Sequence, residues 1–233
     1  MEILLVTAVV AERDACLETF DTAVASVGPY DALVALTPAA AVTAVAGGVG
    51  PSAAASVTAT ALALGSYDLA LNVGVAGAFR EGGLAEGDVA VANVITAADL
   101  GAWAPAGFLD LSVMGLDGAG GVACPSTWVE HVHQQLLLAG VPSRCGMILT
   151  LSAMTGTDSR AIELFERHHA LAEAMEGAGM AEAATRWGLP VMEIRSMSNL
   201  VGDRDREVWQ LGPALGRLSE VCSVIFSTPW PAL

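Results

Sequence analysis

Three polar side chains stand where an apolar chain could place chemistry. Glu12 follows the apolar run Ile3–Ala8, Glu176 closes the run Ala170–Met175, and Asn199 closes the run Val191–Ser198. Each run has strand length, so each polar residue is expected just past a strand end, where ligands gather in open α/β sheets. A carboxylate there accepts protons and hydrogen bonds, whereas an amide offers a donor and an acceptor together. Position alone leaves Glu12 equally well explained as an acid at a helix N-terminus, favoured there by the macrodipole. A fourth stretch, Asn72-Val73-Gly74-Val75-Ala76-Gly77-Ala78, is built of residues small enough for backbone to approach a ligand.

Positioning these residues takes alternating strands and helices. Ile3–Ala8 reads as a first strand, with a helix from Glu12 toward Phe20. Ala32–Leu36 and Val42–Ala46 read as two strands joined at Thr37-Pro38, and the Ala-rich stretch Ser52–Leu64 as a long helix. Leu69–Val73 and Asp88–Ile95 read as buried strands, followed by an irregular segment to Gly121 that is long enough to be functional. Ser126–Ala139 is expected to be helical and Gly146–Leu151 a strand. Ser152-Ala153-Met154-Thr155-Gly156-Thr157 then leads into a helix ending near His168 and His169. The small residues after Glu176 open a helix to Trp187, stopped by Gly188 and Pro190. Gly202–Arg206 reads as a charged loop beyond the Val191–Ser198 strand. Val208–Phe226 reads as an amphipathic helix with Leu211, Leu215, Leu218, Cys222 and Ile225 on one face. The alternation predicts a three-layer αβα sandwich around a central, mostly parallel (mixed) sheet, as one domain over residues 1–233.

Composition narrows the chemistry. The chain has 233 residues and a net charge of −15, which argues against a nucleic-acid partner, since a basic face is needed to displace counterions. All ten basic residues are arginine, so Schiff-base chemistry, a pyridoxal phosphate anchor and a P-loop lysine are excluded. Cys16, Cys124, Cys145 and Cys222 lack CxxC spacing, and His131 and His133, two residues apart, do not share a helix face. No metal is expected. The uncharged stretch Ala32–Tyr67 is broken by Pro38, Gly47, Gly48, Gly50 and Pro51 into pieces too short to span a bilayer, so no membrane association is expected. The first residues carry no basic signal region, and a reducing cytoplasm is the expected setting. Gly48-Val49-Gly50-Pro51-Ser52-Ala53 matches G-x-G-x-x-A with Asp68 near the expected acidic position, which leaves a dinucleotide-binding oxidoreductase as an alternative.

Taken together, Glu12, NVGVAGAF at Asn72–Phe79, AMEGAG at Ala174–Gly179 and RSMSN at Arg195–Asn199 resemble the nucleoside phosphorylase/nucleosidase superfamily over nearly the whole chain. NLVGDRDR at Asn199–Arg206, ADLGA at Ala98–Ala102 and SAMTG at Ser152–Gly156 are similar to the pattern of its futalosine hydrolase family. The resemblance implies cleavage of an N-glycosidic bond through an oxocarbenium-like sugar, without metal or organic cofactor. Glu12 would deprotonate water, Glu176 would accept from the ribose 2′ and 3′ hydroxyls, and Met175 would pack on the sugar. Asn199 would read the purine, with Ser198 in support, backbone at Val75, Ala76 and Gly77 beside it, and backbone near Gly156 and Thr157 at the purine edge.

In adenine-specific relatives the position of Asn199 is usually aspartate; an amide suits a 6-oxopurine such as hypoxanthine. The implied reaction is therefore hydrolysis of futalosine to hypoxanthine and dehypoxanthinyl futalosine, a step of menaquinone biosynthesis, by a homo-oligomer whose partner is a small-molecule nucleoside. Phosphorolysis is disfavoured because Glu12 would repel phosphate, although Arg13 stays available as a phosphate ligand. A nucleosidase for methylthioadenosine, S-adenosylhomocysteine or aminofutalosine is the nearest alternative. A catalytically silent nucleoside-binding protein would keep Glu176 and Asn199 without needing Glu12.

Overall fold

The computed structural model describes residues 1–116, 121–203 and 210–233. Strand β1 (Glu2–Thr7) is apolar from Ile3 to Val6 and wholly buried there, and it leads into helix α1 (Val10–Leu17). Three strands follow as an antiparallel meander, β2 (Thr22–Val27), β3 (Tyr30–Leu36) and β4 (Ala41–Ala46). The sequence reading missed β2. It is an edge strand with mostly exposed side chains, and its Ala and Ser residues carry little strand signal. Helix α2 (Pro51–Leu64) opens with proline in its first turn, where a missing N–H costs nothing.

Strand β5 (Leu69–Ala78) runs five residues further than the apolar core Leu69–Val73 suggests, so the small-residue stretch Asn72–Ala78 is strand rather than loop. Strand β6 (Val89–Ala97) precedes the segment expected to be irregular. That segment contains a hairpin, β7 (Gly101–Ala104) and β8 (Gly107–Asp110), whose Trp103 and Phe108 rings meet edge to face at 5.5 Å. Its supports come from elsewhere in the chain: the Arg160 guanidinium lies 5.3 Å over Trp103 and that of Arg167 lies 4.3 Å over Phe108. Then come β9 (Val122–Ala123), α3 (Ser126–Leu138), β10 (Ser143–Thr150), α4 (Asp158–His168), β11 (Ala172–Ala174), α5 (Gly177–Arg186), β12 (Val191–Leu200) and α6 (Leu211–Ser227).

The sheet order is β11-β10-β6-β12-β5-β1-β4-β3-β2. Parallel pairings join β12, β5, β1 and β4 at its centre and β6, β10 and β11 at one side, while β12 meets β6 antiparallel. Strand β11 also pairs with β5, so five strands close on themselves at that end. Helices α1, α3 and α6 cover one face and α2 and α5 the other, giving the three layers expected. Helix α4 packs on a second, smaller core with Phe79, Leu149, Leu151 and Val201.

Two expectations about the C-terminal region change. The buried face of α6 is Ala214, Leu218, Val221, Cys222, Ile225 and Phe226, whereas Leu211 is 45% exposed because it begins the helix at its open end. In the charged loop Gly202 and Asp203 are described, with Asp158 and Asp203 exchanging two backbone-to-carboxylate hydrogen bonds; Arg204, Asp205, Arg206 and the expected helix start at Val208 lie outside the described residues. Among the described residues no helix is long and apolar enough to cross a membrane.

Candidate active site

Four consecutive residues of β5 form the spine of the site. At Gly74 an added Cβ would lie 2.7 Å from Glu12 Oε1 and would collide with the Arg195 guanidinium, so only glycine lets both side chains close on the strand. The Val75 N–H donates to Glu12 Oε1 at 2.9 Å. The Ala76 carbonyl accepts from Ser198 Oγ at 3.2 Å. Gly77 pairs in register with Asn199 of β12 and with Glu173 of β11. These contacts require β5 to remain extended through Ala78, because it pairs with β12 along that length and with β11 at Gly77 and Ala78.

Glu12 sits in the first turn of α1, where its other oxygen, Oε2, accepts from the Ala8 N–H at 3.0 Å and the Val9 N–H at 3.2 Å. The two readings of this residue are therefore compatible: one oxygen caps the helix and the other faces the centre of the sheet. Three N–H donors hold the carboxylate in one orientation. Arg13 turns away, donating to Asp14 and to the Asp31 carbonyl, so its guanidinium is engaged outside this cluster.

Glu176 is the residue before α5, 4% exposed, and Gly50 N–H donates to its Oε1 at 3.1 Å. This contact accounts for the glycine loop that resembled a dinucleotide turn. Gly50 has φ 99°, a left-handed conformation that brings its amide to the carboxylate. Asp68, the residue matched to a ribose-binding acid, lies at the opposite end of the sheet, where Oδ2 accepts from Glu2 N–H at 2.7 Å. A dinucleotide spanning the two is ruled out by that separation.

Arg195 joins the carboxylates and was missed from sequence. It is fully buried inside β12; Nε donates to Glu193 Oε1 at 2.8 Å, while Nη2 donates to Asn72 Oδ1 and lies 3.3 Å from Glu176 Oε2. Asn72 in turn donates to the Val6 carbonyl at 2.8 Å. Burial works against the guanidinium charge, yet the carboxylates of Glu193, Glu176 and Glu12 outweigh it and hold its proton more tightly than usual. Burial pushes Glu193 upward against the pull of Arg195. The one signal in the sequence was an arginine in an apolar strand, which must find a partner or fail to fold.

Asn199 stands inside β12, next to last, rather than beyond its end, because a register shift between Met197 and Asn199 lets pairing continue to Leu200. Oδ1 accepts from Ser198 Oγ at 2.8 Å and Nδ2 donates to the Leu200 carbonyl at 2.9 Å. One N–H and one acceptor site of the amide remain free for a ligand. Met175, half-buried, lies between β11 and Glu176. Gly156 and Thr157 are exposed, and Thr157 Oγ1 caps α4 by accepting from Arg160 N–H at 3.3 Å. The residue that reaches inward is Thr155, whose N–H and hydroxyl donate to Glu173 at 2.9 and 2.5 Å. Among the described residues no group of three or more His, Cys, Asp or Glu is placed to hold a metal ion.

Known proteins resemble this chain over nearly its whole length. The family model of the Phosphorylase superfamily matches residues 3–223. The chain is 40% identical to a futalosine hydrolase of Streptomyces coelicolor, covering 94% of this chain and 93% of that protein. It is 41% identical to a futalosine hydrolase of Acidothermus cellulolyticus, covering 95% and 89%. In fold it is similar to an S-adenosylhomocysteine nucleosidase of Streptococcus pyogenes, with a TM-score of 0.85, 22% identity and 98% of both chains covered. It is likewise similar to the futalosine hydrolase of Helicobacter pylori, with a TM-score of 0.82, 17% identity and 97% of both chains covered. On the sequence matches, which span nearly the whole length of both partners, the chain belongs to the phosphorylase superfamily and, within it, to the futalosine hydrolase family.

Proposed function

We propose that this chain, acting as one domain over residues 1–233, hydrolyses the N-glycosidic bond of futalosine to hypoxanthine and dehypoxanthinyl futalosine. The observation that carries the reading is the buried cluster in which Glu12, Glu176 and Glu193 surround one cation, Arg195. An excess of negative charge in a low-dielectric site stabilises a sugar that becomes positive as the bond breaks, and it repels phosphate. Glu12 takes the proton of the attacking water, Glu176 accepts from the ribose diol, Met175 covers the sugar and Asn199 donates to the purine. The likeness to curated futalosine hydrolases supports this substrate, and with it a role in menaquinone biosynthesis.

Incubating the purified chain with futalosine and with inosine, with and without phosphate, tests the reading by chromatography. Hypoxanthine release from futalosine that does not depend on phosphate supports it. Formation of a sugar 1-phosphate overturns it.

A homo-oligomer and a cytoplasmic setting complete the proposal. Leu100, Trp103, Val113 and Leu116 are each more than half exposed along one segment, an apolar surface of the kind that a partner subunit covers. Light scattering should give a mass at least twice 23.7 kDa, and Trp103→Glu should lower it; a monomeric wild type refutes the assembly. All four cysteines are free, which suits a reducing compartment.

A further inference from the structure

Glu173 is a buried carboxylate that the proposed reaction leaves without a task. It is 4% exposed and makes no ion pair among the described residues. Burial pushes it above the usual carboxylate range, against the two hydrogen bonds from Thr155. Its position is informative. A Cβ built on Gly77 would lie 3.3 Å from Asn199 Nδ2 and 3.7 Å from Glu173 Cγ, so the two side chains flank the same glycine. Thr155 donates one hydrogen bond to each oxygen of Glu173, fixing the plane of the carboxylate and leaving each oxygen able to accept again.

The outer edge of a 6-oxopurine presents, in order, the N7 acceptor, the O6 acceptor and the N1–H donor. The free Asn199 N–H suits the first two, and an acceptor beside it is needed for the third. A 6-aminopurine carries a lone pair at N1 in place of that hydrogen, so a carboxylate there would face it lone pair to lone pair.

We propose that Glu173 is a specificity-determining residue whose carboxylate accepts the N1–H of a 6-oxopurine base, while Asn199 serves N7 and O6. This rests on the reading of the site as a purine N-glycosidase. Thr155, through the SAMTG loop, is the positioning residue that aims the carboxylate.

The test compares kcat/KM for futalosine, its 6-amino analogue and its 1-methyl derivative in the wild type and in Glu173→Gln. The glutamine carbonyl and amide can still pair with the Thr155 N–H and hydroxyl, so the loop keeps its anchor. The wild type should discriminate against both analogues by about 10²-fold or more, because a site built for a hydrogen bond rejects a base that lacks it. Glu173→Gln should lower the futalosine value by about tenfold or more and shrink its ratio to the 6-amino analogue by at least tenfold. Equal losses on all substrates would mean that Glu173 only fastens the loop, and would overturn the proposal. If the variant does not fold, the wild type decides alone: equal kcat/KM for futalosine and the 1-methyl derivative overturns it. A wild type that releases hypoxanthine from futalosine but fails these comparisons leaves the reaction standing without this role for Glu173; one that releases no base refutes both.

Discussion

At the scale of single residues, Glu12 is held by three backbone amides, so a change of charge can be separated from a change of shape. Glu12→Gln should leave substrate affinity largely intact and lower turnover by about 10²-fold or more, the usual scale for a lost general base. Steady-state kinetics with an unchanged kcat would remove Glu12 from the mechanism. Asn199→Asp should move the futalosine to 6-amino analogue ratio toward the amine, since an ionised acceptor favours an amino donor; an unaltered ratio would assign the purine edge to other groups. Glu12, Glu176 and Asn199 were singled out in sequence because each is polar near the close of an apolar run and lies in a motif that resembles the family's. Arg195 and Glu173 were not, because each lies within a strand whose neighbours are all buried and nothing local shows which strand it will face.

At the scale of elements, β5 and the crossing of α2 with α5 do the positioning. Gly179 in α5 lies against the Pro51 backbone at the start of α2, and an added Cβ would come within 2.6 Å of the Pro51 carbonyl carbon. An alanine in a helix interior normally gains up to about 1 kcal/mol over glycine. Here overpacking against backbone, about 1–3 kcal/mol or more, outweighs that gain. Gly179→Ala should therefore lower the denaturation midpoint, and it should weaken activity as well, because Gly50, which holds Glu176, adjoins Pro51. A stabilised variant would show that the helices can separate freely. The hairpin β7–β8 illustrates the limit of local reading: four-residue strands carry little signal, and Arg160 and Arg167, which stack on it, come from α4, far along the chain.

At the scale of the whole molecule, pH acts through a histidine outside the buried carboxylate cluster. His168, half-buried at the end of α4, is pushed down from 6.5 to about 4 by burial and then by Arg167, whose Nε donates to its Nε2 at 2.9 Å. The folded chain thus holds it neutral while the unfolded chain takes up its proton near 6.5. The stability this contributes is complete above that value and is lost as pH falls toward about 4. Urea midpoints of the wild type should decline through that window more steeply than those of His168→Gln, with the difference reduced by partial exposure of the ring. Parallel curves would show that the ring titrates alike in both states.

Periodicity, turn residues and the order of motifs determined by themselves the α/β layering and most of the elements, and they singled out Glu12, Glu176 and Asn199 for the proposed reaction, because those signals are local to a run of five to ten residues. Tertiary structure alone decided that β5 continues through Asn72–Ala78 and that Gly50 serves Glu176 rather than a dinucleotide. It alone placed Arg195 among three carboxylates and Glu173 beside Asn199. The physical reason is register. Which side chains share a pocket depends on which strands pair and by how many residues they are offset, and β5, β11 and β12 are brought into that alignment only when the sheet closes around them.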